Sequence, residues 1–251
     1  MTSVNAESTP DDSGGDSAAG PVTAATDRVL ATAAGLDEAA LRGPSLCAPW
    51  TRAHVLTHLA RNADALVNLL TWARTGTETF AYPSAESRAA DIEAGAARPP
   101  GELVEDLYTS AERFTKAVMD MPDHGWERRV HPRAGGEGDP VPGRRVLWLR
   151  LLELELHHVD LDAGYTPADW PDSFVRRALD DTVRAFGRRD DVPAVAVAVD
   201  GRPTEHLGTE TRVTVAGPAR PMLGWLTGRG GGAELTVDPS DARLPVLPPW
   251  S

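Results

Sequence analysis

The sequence is poor in cysteine, in basic residues and in long apolar segments. Its single cysteine, Cys47, excludes an internal disulfide bond and a cysteine-rich zinc site. Lysine and arginine number 25 against 37 acidic residues, and the net charge of -12 argues against nucleic acid and anionic membranes as partners. The sequence has no apolar run long enough to span a bilayer, so no transmembrane segment is predicted.

Residues 1–20 are rich in small and polar residues and lack the basic and apolar regions of a signal peptide. We predict a disordered tail for this segment, with order beginning near Pro21, because it has too few hydrophobic residues to offset the entropy of ordering. A cytoplasmic protein is expected. The sequence carries no signal for the oligomeric state, and a monomer is the default expectation.

Four segments carry apolar residues at the spacing of amphipathic bundle helices. They cover residues 23–42, 51–74, 101 to just before Pro122, and 141–162. A shorter helix is predicted at 85–97, and a loop at 123–143 that could belong to a lid or a site. The histidines of that loop, His124 and His131, are expected to be solvated rather than functional.

The C-terminal third has a different pattern, in which short β-favouring segments alternate with helices. Strands are predicted at 194–199, 212–215 and 233–237, and helices at 171–188 and 218–227. The predicted fold class is therefore α+β with two domains. A four-helix bundle would occupy residues 21–165, and a small α/β domain would occupy residues 166–251.

Two histidines, His54 and His58, lie one turn apart on the predicted second helix. A histidine pair at this spacing can bind a metal ion. On the helical wheel, His58 points about 115° from the centre of the apolar stripe and His54 about 155°. We therefore interpret His58 as the candidate metal ligand and His54 as a surface or helix-start residue.

The segment Arg150–Asp160 places charged residues and histidines within a run of leucine and valine. A helix here would be apolar on almost every side and therefore buried. Burial of a carboxylate or an imidazole costs several kcal/mol unless the group is paired or binds a metal. Arg150 and Asp160 share a sector with Glu153 and His157, where they could orient metal ligands.

Two pairs of side chains on this helix could chelate a divalent metal. Glu153 and His157 are four residues apart, and Glu155 and His158 lie on the opposite side, so only one pair can face the second helix. The residues alone leave an alternative open. In that alternative Glu153 forms a buried ion pair with Arg150, and His157 is an ordinary core histidine.

Three stretches resemble the mycothiol-dependent maleylpyruvate isomerase family. Its two signature segments are similar to WTRAHVLTHLARNAD at residues 50–64 and ELELHHVDLDAGY at residues 153–165. Its C-terminal end is similar to WLTGR at residues 225–229, followed by LPVLPPW at residues 244–250. The resemblance covers nearly the whole chain after the predicted tail.

The resemblance implies a DinB-like four-helix bundle followed by a sterol-carrier-protein-like domain. It also implies a metal site formed by His58, Glu153 and His157. Three protein ligands leave a fourth position open, which is typical of catalytic rather than structural zinc. The donor set suits zinc best and would also accept iron, cobalt or nickel.

Three further residues are implicated by the resemblance. Arg229 lies in the segment of an arginine implicated in the isomerase, where it would hold a substrate carboxylate or stabilise an enolate. Tyr82 and Arg88 lie in a family-like stretch and are candidates for contacts with the thiol cofactor. The residues alone also allow Arg229 to be a solvated helix-end cation, and Tyr82 and Arg88 to be packing or surface residues.

One departure from the family's pattern follows Arg229, where this chain has Gly230, Gly231 and Gly232 and the family has an aspartate among the glycines. The contacts that this segment makes are therefore expected to differ from those of the family.

The function implied by the resemblance is metal-assisted thiol chemistry with mycothiol and a small-molecule substrate. Ligation to zinc would deprotonate the thiol. The thiolate would add to the cis double bond of maleylpyruvate, the new single bond would rotate, and elimination would give fumarylpyruvate. The alternatives are a mycothiol S-transferase that conjugates an electrophile, and a non-catalytic zinc-binding regulatory protein, which the single Cys47 fits poorly.

Overall fold

The structure is a computed structural model that describes residues 15–132 and 139–250. These residues form nine α-helices and two small sheets, and the predicted α+β fold class is confirmed. They divide into two compact units, one made of residues 15–35 with 56–154 and the other of residues 36–55 with 155–250. The predicted domain boundary near residue 165 stays a prediction.

The elements are numbered in chain order. The helices are α1 (Gly15–Ala34), α2 (Glu38–Arg42), α3 (Arg52–Thr75), α4 (Ala85–Ala96), α5 (Pro100–Met119), α6 (Asp123–Glu127), α7 (Arg145–Asp160), α8 (Asp172–Phe186) and α9 (Ala219–Leu226). The strands are β1 (Arg129–Val130), β2 (Val141–Pro142), β3 (Val195–Val199), β4 (Glu205–Leu207), β5 (Thr214–Gly217) and β6 (Thr236–Asp238). Helices α3 and α7 each contribute residues to both units.

The N-terminal part departs from the prediction in two ways. Residues 1–14 of the predicted tail lie outside the described residues, and α1 begins at Gly15, ahead of Pro21. The helix predicted at 23–42 is two helices, because Asp37 caps a new one: its carboxylate accepts a hydrogen bond of 2.8 Å from the Ala40 amide.

The loop predicted at 123–143 contains regular structure. Helix α6 is followed by β1, which pairs antiparallel with β2, and residues 133–138 between the strands lie outside the described residues. Because Val141 and Pro142 belong to β2, α7 starts at Arg145 instead of Val141. Segments this short and polar carry no periodicity from which they could be predicted.

The first unit is a helical bundle. Helix α5 packs against α1, and its Asp106 accepts a hydrogen bond of 2.6 Å from Arg61 on α3. Arg150 on α7 connects the same α3 by donating from Nη1 to the Leu59 carbonyl and to Asn62 Oδ1. The long helices α1, α3, α5 and α7 correspond to the four helices that the apolar periodicity predicts.

The second unit contains a four-stranded sheet in the order β4-β3-β5-β6. Strand β3 runs parallel to β5, with Val197 opposite Val215, and antiparallel to β4. Helices α8 and α9 pack against each other, and α9 also contacts β5. Strand β4 was not predicted, because Leu207 is the only apolar residue of its three.

None of the helices in residues 15–132 and 139–250 combines the length and the apolar character needed to cross a membrane.

Candidate metal centre

A polar contact between α3 and α7 at the candidate centre joins His58 to Glu153. His58 Nε2 lies 2.8 Å from Glu153 Oε2. His58 belongs to a stretch of α3 in which every residue from Val55 to Ala60 is buried, so the polar ring needs a partner. The Glu153 side chain is 33% exposed, which leaves the carboxylate accessible to a ligand.

His157 follows Glu153 by one turn of α7, so the two side chains share a face of the helix. Nδ1 of His157 lies 2.8 Å from Asp160 Oδ2. A carboxylate at Nδ1 fixes the orientation of the imidazole and favours Nε2 as the nitrogen that binds a metal.

His58, Glu153 and His157 together offer two imidazole nitrogens and one carboxylate oxygen. Zinc binds such sets with three protein ligands when it is catalytic, and iron, cobalt and nickel accept the same donors. The chemistry of the donor set therefore fits the divalent metal that the sequence predicts. The assignment of these three residues as ligands stays a prediction.

Asp160 connects His157 to Arg229. Its Oδ2 accepts from Arg229 Nη2 at 2.6 Å, and the carboxylate is buried. Burial alone would raise the pKa of Asp160, but the hydrogen bond from His157 and the charge of Arg229 outweigh burial and lower it below its usual range. Asp160 is therefore a fixed anion at neutral pH.

Arg229 is partly buried and paired rather than solvated, with a side chain that is 14% exposed. Besides Asp160, it donates from Nε to the Leu156 carbonyl and from Nη1 to the Thr227 carbonyl. A guanidinium has about five N–H donors, so each terminal nitrogen keeps one for a ligand. Its role as a catalytic residue stays a prediction.

The second candidate chelating pair on α7, formed by Glu155 and His158, makes other contacts. The Tyr165 hydroxyl donates to Glu155 Oε2 at 2.5 Å, and the Tyr165 ring stacks on His158 with centroids 3.9 Å apart. Of the two carboxylates, Glu153 and Glu155, His58 contacts Glu153. His54 also lies elsewhere: its Nδ1 is 2.7 Å from Thr51 Oγ1, at the start of α3.

The charge of Glu153 acts on Arg150, but the hydrogen bonds of Arg150 go to other residues. Its Nη1 donates to two neutral acceptors, the Leu59 carbonyl and Asn62 Oδ1, and its Nη2 is buried with no acceptor in the part of the chain that is described. Burial lowers the pKa of Arg150 to about 10, so the side chain is still a cation at pH 7. A buried donor without an acceptor costs about 1–3 kcal/mol.

Tyr82 and Arg88 lie beside His58. Arg88 Nη2 is 3.2 Å from His58 Nδ1, and the Arg88 guanidinium lies 5.6 Å from the centre of the Tyr82 ring. The Tyr82 hydroxyl is buried and has no acceptor among residues 15–132 and 139–250. Burial raises the pKa of Tyr82, although the Arg88 charge opposes the rise. Their contact with a thiol cofactor stays a prediction.

Cys47 is a neighbour that sequence reasoning missed. Its sulfur lies 4.0 Å from His157 Nδ1, and Cys47, His157 and Asp160 have donor atoms within 4.8 Å of one another. The contact joins residues 110 positions apart. Cys47 lies in a loop without periodicity, so the sequence offers no signal that would place it there.

The fold and these contacts define a class: an α+β protein whose helical bundle carries imidazole and carboxylate donors of the kind that bind divalent metals. A model of the mycothiol maleylpyruvate isomerase N-terminal domain matches residues 22–162, more than half of the chain. The chain belongs to the mycothiol maleylpyruvate isomerase family.

Two solved structures are similar over almost the whole length. One is a crystal structure of the mycothiol-dependent maleylpyruvate isomerase, and the other is the same enzyme with a histidine replaced by alanine. Each is 26% identical, covers 97% of this chain and 100% of its own, and superimposes with a TM-score of 0.89. The search of curated proteins found no match.

Proposed function

We propose that His58, Glu153 and His157 bind one zinc ion, and that the protein is an enzyme that isomerises a cis-unsaturated acid such as maleylpyruvate with mycothiol. The observation that carries the proposal is the 2.8 Å contact of His58 with Glu153, one helical turn from His157, in a member of this family. The partial exposure of Glu153 supports an open position for a ligand.

Bound zinc would supply Lewis acidity that keeps a ligated thiol deprotonated at neutral pH. The isomerisation consists of reversible addition of a thiolate to the cis double bond, rotation about the resulting single bond, and elimination to the trans isomer. In this reaction the side chains of the protein would position the reactants and fix which ring nitrogen of each histidine carries a proton.

Arg88 has a specific part in this proposal. A guanidinium only donates hydrogen bonds, so the contact of Arg88 with His58 Nδ1 leaves the ring proton on Nε2, facing Glu153. If Nε2 is a metal ligand, His58 carries its proton on Nδ1 instead, where Arg88 can no longer donate. In that state the Arg88 cation would interact with an anionic group of mycothiol or the substrate.

Asp160 and Arg229 hold the other imidazole. Asp160 accepts the Nδ1 proton of His157 and so fixes the ring with Nε2 directed away from Asp160. Arg229 holds Asp160 in place and keeps N–H donors that can bind a substrate carboxylate or stabilise an enolate oxygen. Both roles depend on a guanidinium that is charged and positioned before the substrate binds.

The test is incubation of the zinc-loaded protein with mycothiol and maleylpyruvate, with the products followed by NMR. We expect fumarylpyruvate to form only when both zinc and mycothiol are present. A stable conjugate of mycothiol would instead assign an S-transferase. If neither product forms with maleylpyruvate or with other electrophiles, both enzymatic readings fail and a regulatory zinc protein becomes the better account.

A further inference from the structure

Two buried hydrogen-bond donors near His58 have no acceptor in the described part of the chain: Arg150 Nη2 and the Tyr82 hydroxyl. Arg150 is 1% exposed, and both acceptors of its Nη1 are uncharged. No carboxylate accepts a hydrogen bond from this buried cation. The charges of Glu153 and Asp64 act on Arg150 without accepting a hydrogen bond from it, so the unsatisfied Nη2 indicates a ligand that accepts one, and an anion accepts most strongly.

The position of Arg150 follows from the two helices that it connects. Asn62, which accepts from Arg150, lies one turn after His58 on α3, and Arg150 itself lies three residues before Glu153 on α7. The guanidinium therefore lies about one helical turn, or about 5.4 Å, along the bundle from the contact of His58 with Glu153. A guanidinium only donates hydrogen bonds and is not a metal ligand, but at this spacing along the bundle it could contact a substrate bound at the centre.

Tyr82 also lies near His58. Arg88 contacts both the Tyr82 ring and His58 Nδ1, which puts the phenol beside the candidate centre. The charges that act on the Tyr82 hydroxyl belong to Arg88, Glu153 and Arg150, and Arg150 in turn is affected by Tyr82. The Tyr82 hydroxyl and the Arg150 guanidinium therefore interact electrostatically.

We propose that Arg150 and Tyr82 form an anion subsite that binds a carboxylate of the substrate about one helical turn from His58 and Glu153. The inference rests on the proposed function, because it adds substrate binding to the same centre. A carboxylate oxygen can accept hydrogen bonds from both donors, and the charge of Arg150 attracts it. A water molecule could also accept both hydrogen bonds but, being neutral, would bind more weakly.

The subsite defines the substrate class further. It requires an acid whose carboxylate lies a few bonds from the reacting double bond, so that one end reaches Arg150 while the other stays at the centre. A neutral electrophile of the same size would lack this contact. Such an electrophile should therefore bind more weakly than the acid.

Tyr82→Phe gives a selective test, because the proton of the Tyr82 hydroxyl has no acceptor within the described residues. The substitution removes a buried hydroxyl whose proton is unsatisfied, so the melting temperature should change little. Its affinity for an acid should fall about 10-fold, which is the loss expected for one hydrogen bond to a charged group. Tyr108→Phe, in the exposed tyrosine of α5, is the matched control and should change neither quantity.

The measurement is calorimetric titration of maleate, a cis-unsaturated dicarboxylate, into the full-length protein without mycothiol, once loaded with zinc and once free of metal. We expect Tyr82→Phe and Arg150→Lys to weaken maleate binding in both forms, with Tyr108→Phe equal to wild type. In turnover, Tyr82→Phe should raise KM more than it lowers kcat, because the hydroxyl binds substrate and transition state alike.

The outcomes separate this inference from the proposed function. Maleate binding that is absent, or that is unchanged in Tyr82→Phe and Arg150→Lys, would overturn the subsite whatever the isomerase assay gives. Binding that depends on Tyr82 and Arg150 in a protein without isomerase or transferase activity would support the subsite and reject the proposed function.

Discussion

Replacing His58 with alanine is expected to remove bound zinc and, with it, all mycothiol-dependent activity. His58 supplies one of three proposed ligands, and its Nε2 lies 2.8 Å from Glu153 Oε2. Loss of a group that only orients a ligand already lowers metal affinity about 10–100-fold, so loss of a ligand should lower it by at least about 100-fold. The measurement is metal content after dialysis, with zinc affinity by competition with a chelating dye.

His54→Ala is the matched control, because His54 is the other histidine of α3 and lies one turn away. Its Nδ1 contacts Thr51 at the start of the helix instead of Glu153. The His54→Ala variant should therefore keep one zinc per chain and nearly full activity. If His54→Ala empties the site while His58→Ala retains zinc, the assignment of the ligand on α3 is wrong.

Asp160→Asn is expected to lower both stability and metal affinity. The substitution leaves the partly buried Arg229 without its anion, and breaking such a pair costs about 3–5 kcal/mol, which corresponds to a melting temperature lower by about 6–20 °C. It also removes the carboxylate that orients His157, so zinc affinity should fall about 10–100-fold. Thermal unfolding and zinc competition measure the two effects separately.

The stability effect of Asp160→Asn should depend on pH with a defined sign. Because the pKa of Asp160 is lowered in the folded protein, its contribution is complete above its ordinary pKa of 3.8 and is lost as the pH falls through the lower folded value. The difference in stability between wild type and Asp160→Asn should therefore be largest at pH 7 and should disappear in acid.

Asp162→Asn is the control for that pair. Asp162 also meets an arginine, Arg52 at 3.2 Å, but its side chain is 61% exposed, so solvent screens the interaction. Its backbone has a positive φ of 49°, which asparagine tolerates well. The melting temperature of Asp162→Asn should stay close to that of wild type. Equal losses for Asp160→Asn and Asp162→Asn would contradict the role given to the buried pair.

The sequence predicted those parts of the fold that depend on apolar periodicity. The positions of α3, α5 and α8 follow from repeating buried residues and were predicted within about two residues, the usual uncertainty of helix ends. The break between α1 and α2 depends on one capping carboxylate, that of Asp37, and the hairpin of β1 and β2 on pairing between segments of two residues. Such local features do not change the apolar pattern.

The candidate site was predictable in part for the same reason. His58 and Glu153 lie on helix faces that the wheel identifies, and the structure brings them into contact. That Glu153 and not Glu155 is the candidate ligand agrees with the contacts of Tyr165. Its hydroxyl donates to Glu155 and its ring stacks on His158. The ion pair of Arg229 with Asp160 and the approach of Cys47 to His157 come from tertiary packing, which spacing along the chain does not encode.

The central claim is that one metal ion is held by His58, Glu153 and His157. The most direct measurement is an anomalous-difference map at the zinc absorption edge, from crystals of the zinc-loaded protein. We expect a single peak about 2.0–2.2 Å from one nitrogen of each histidine and from a Glu153 oxygen. A peak bound instead by Cys47, His157 and Asp160, or no peak near α3 and α7, would contradict the account.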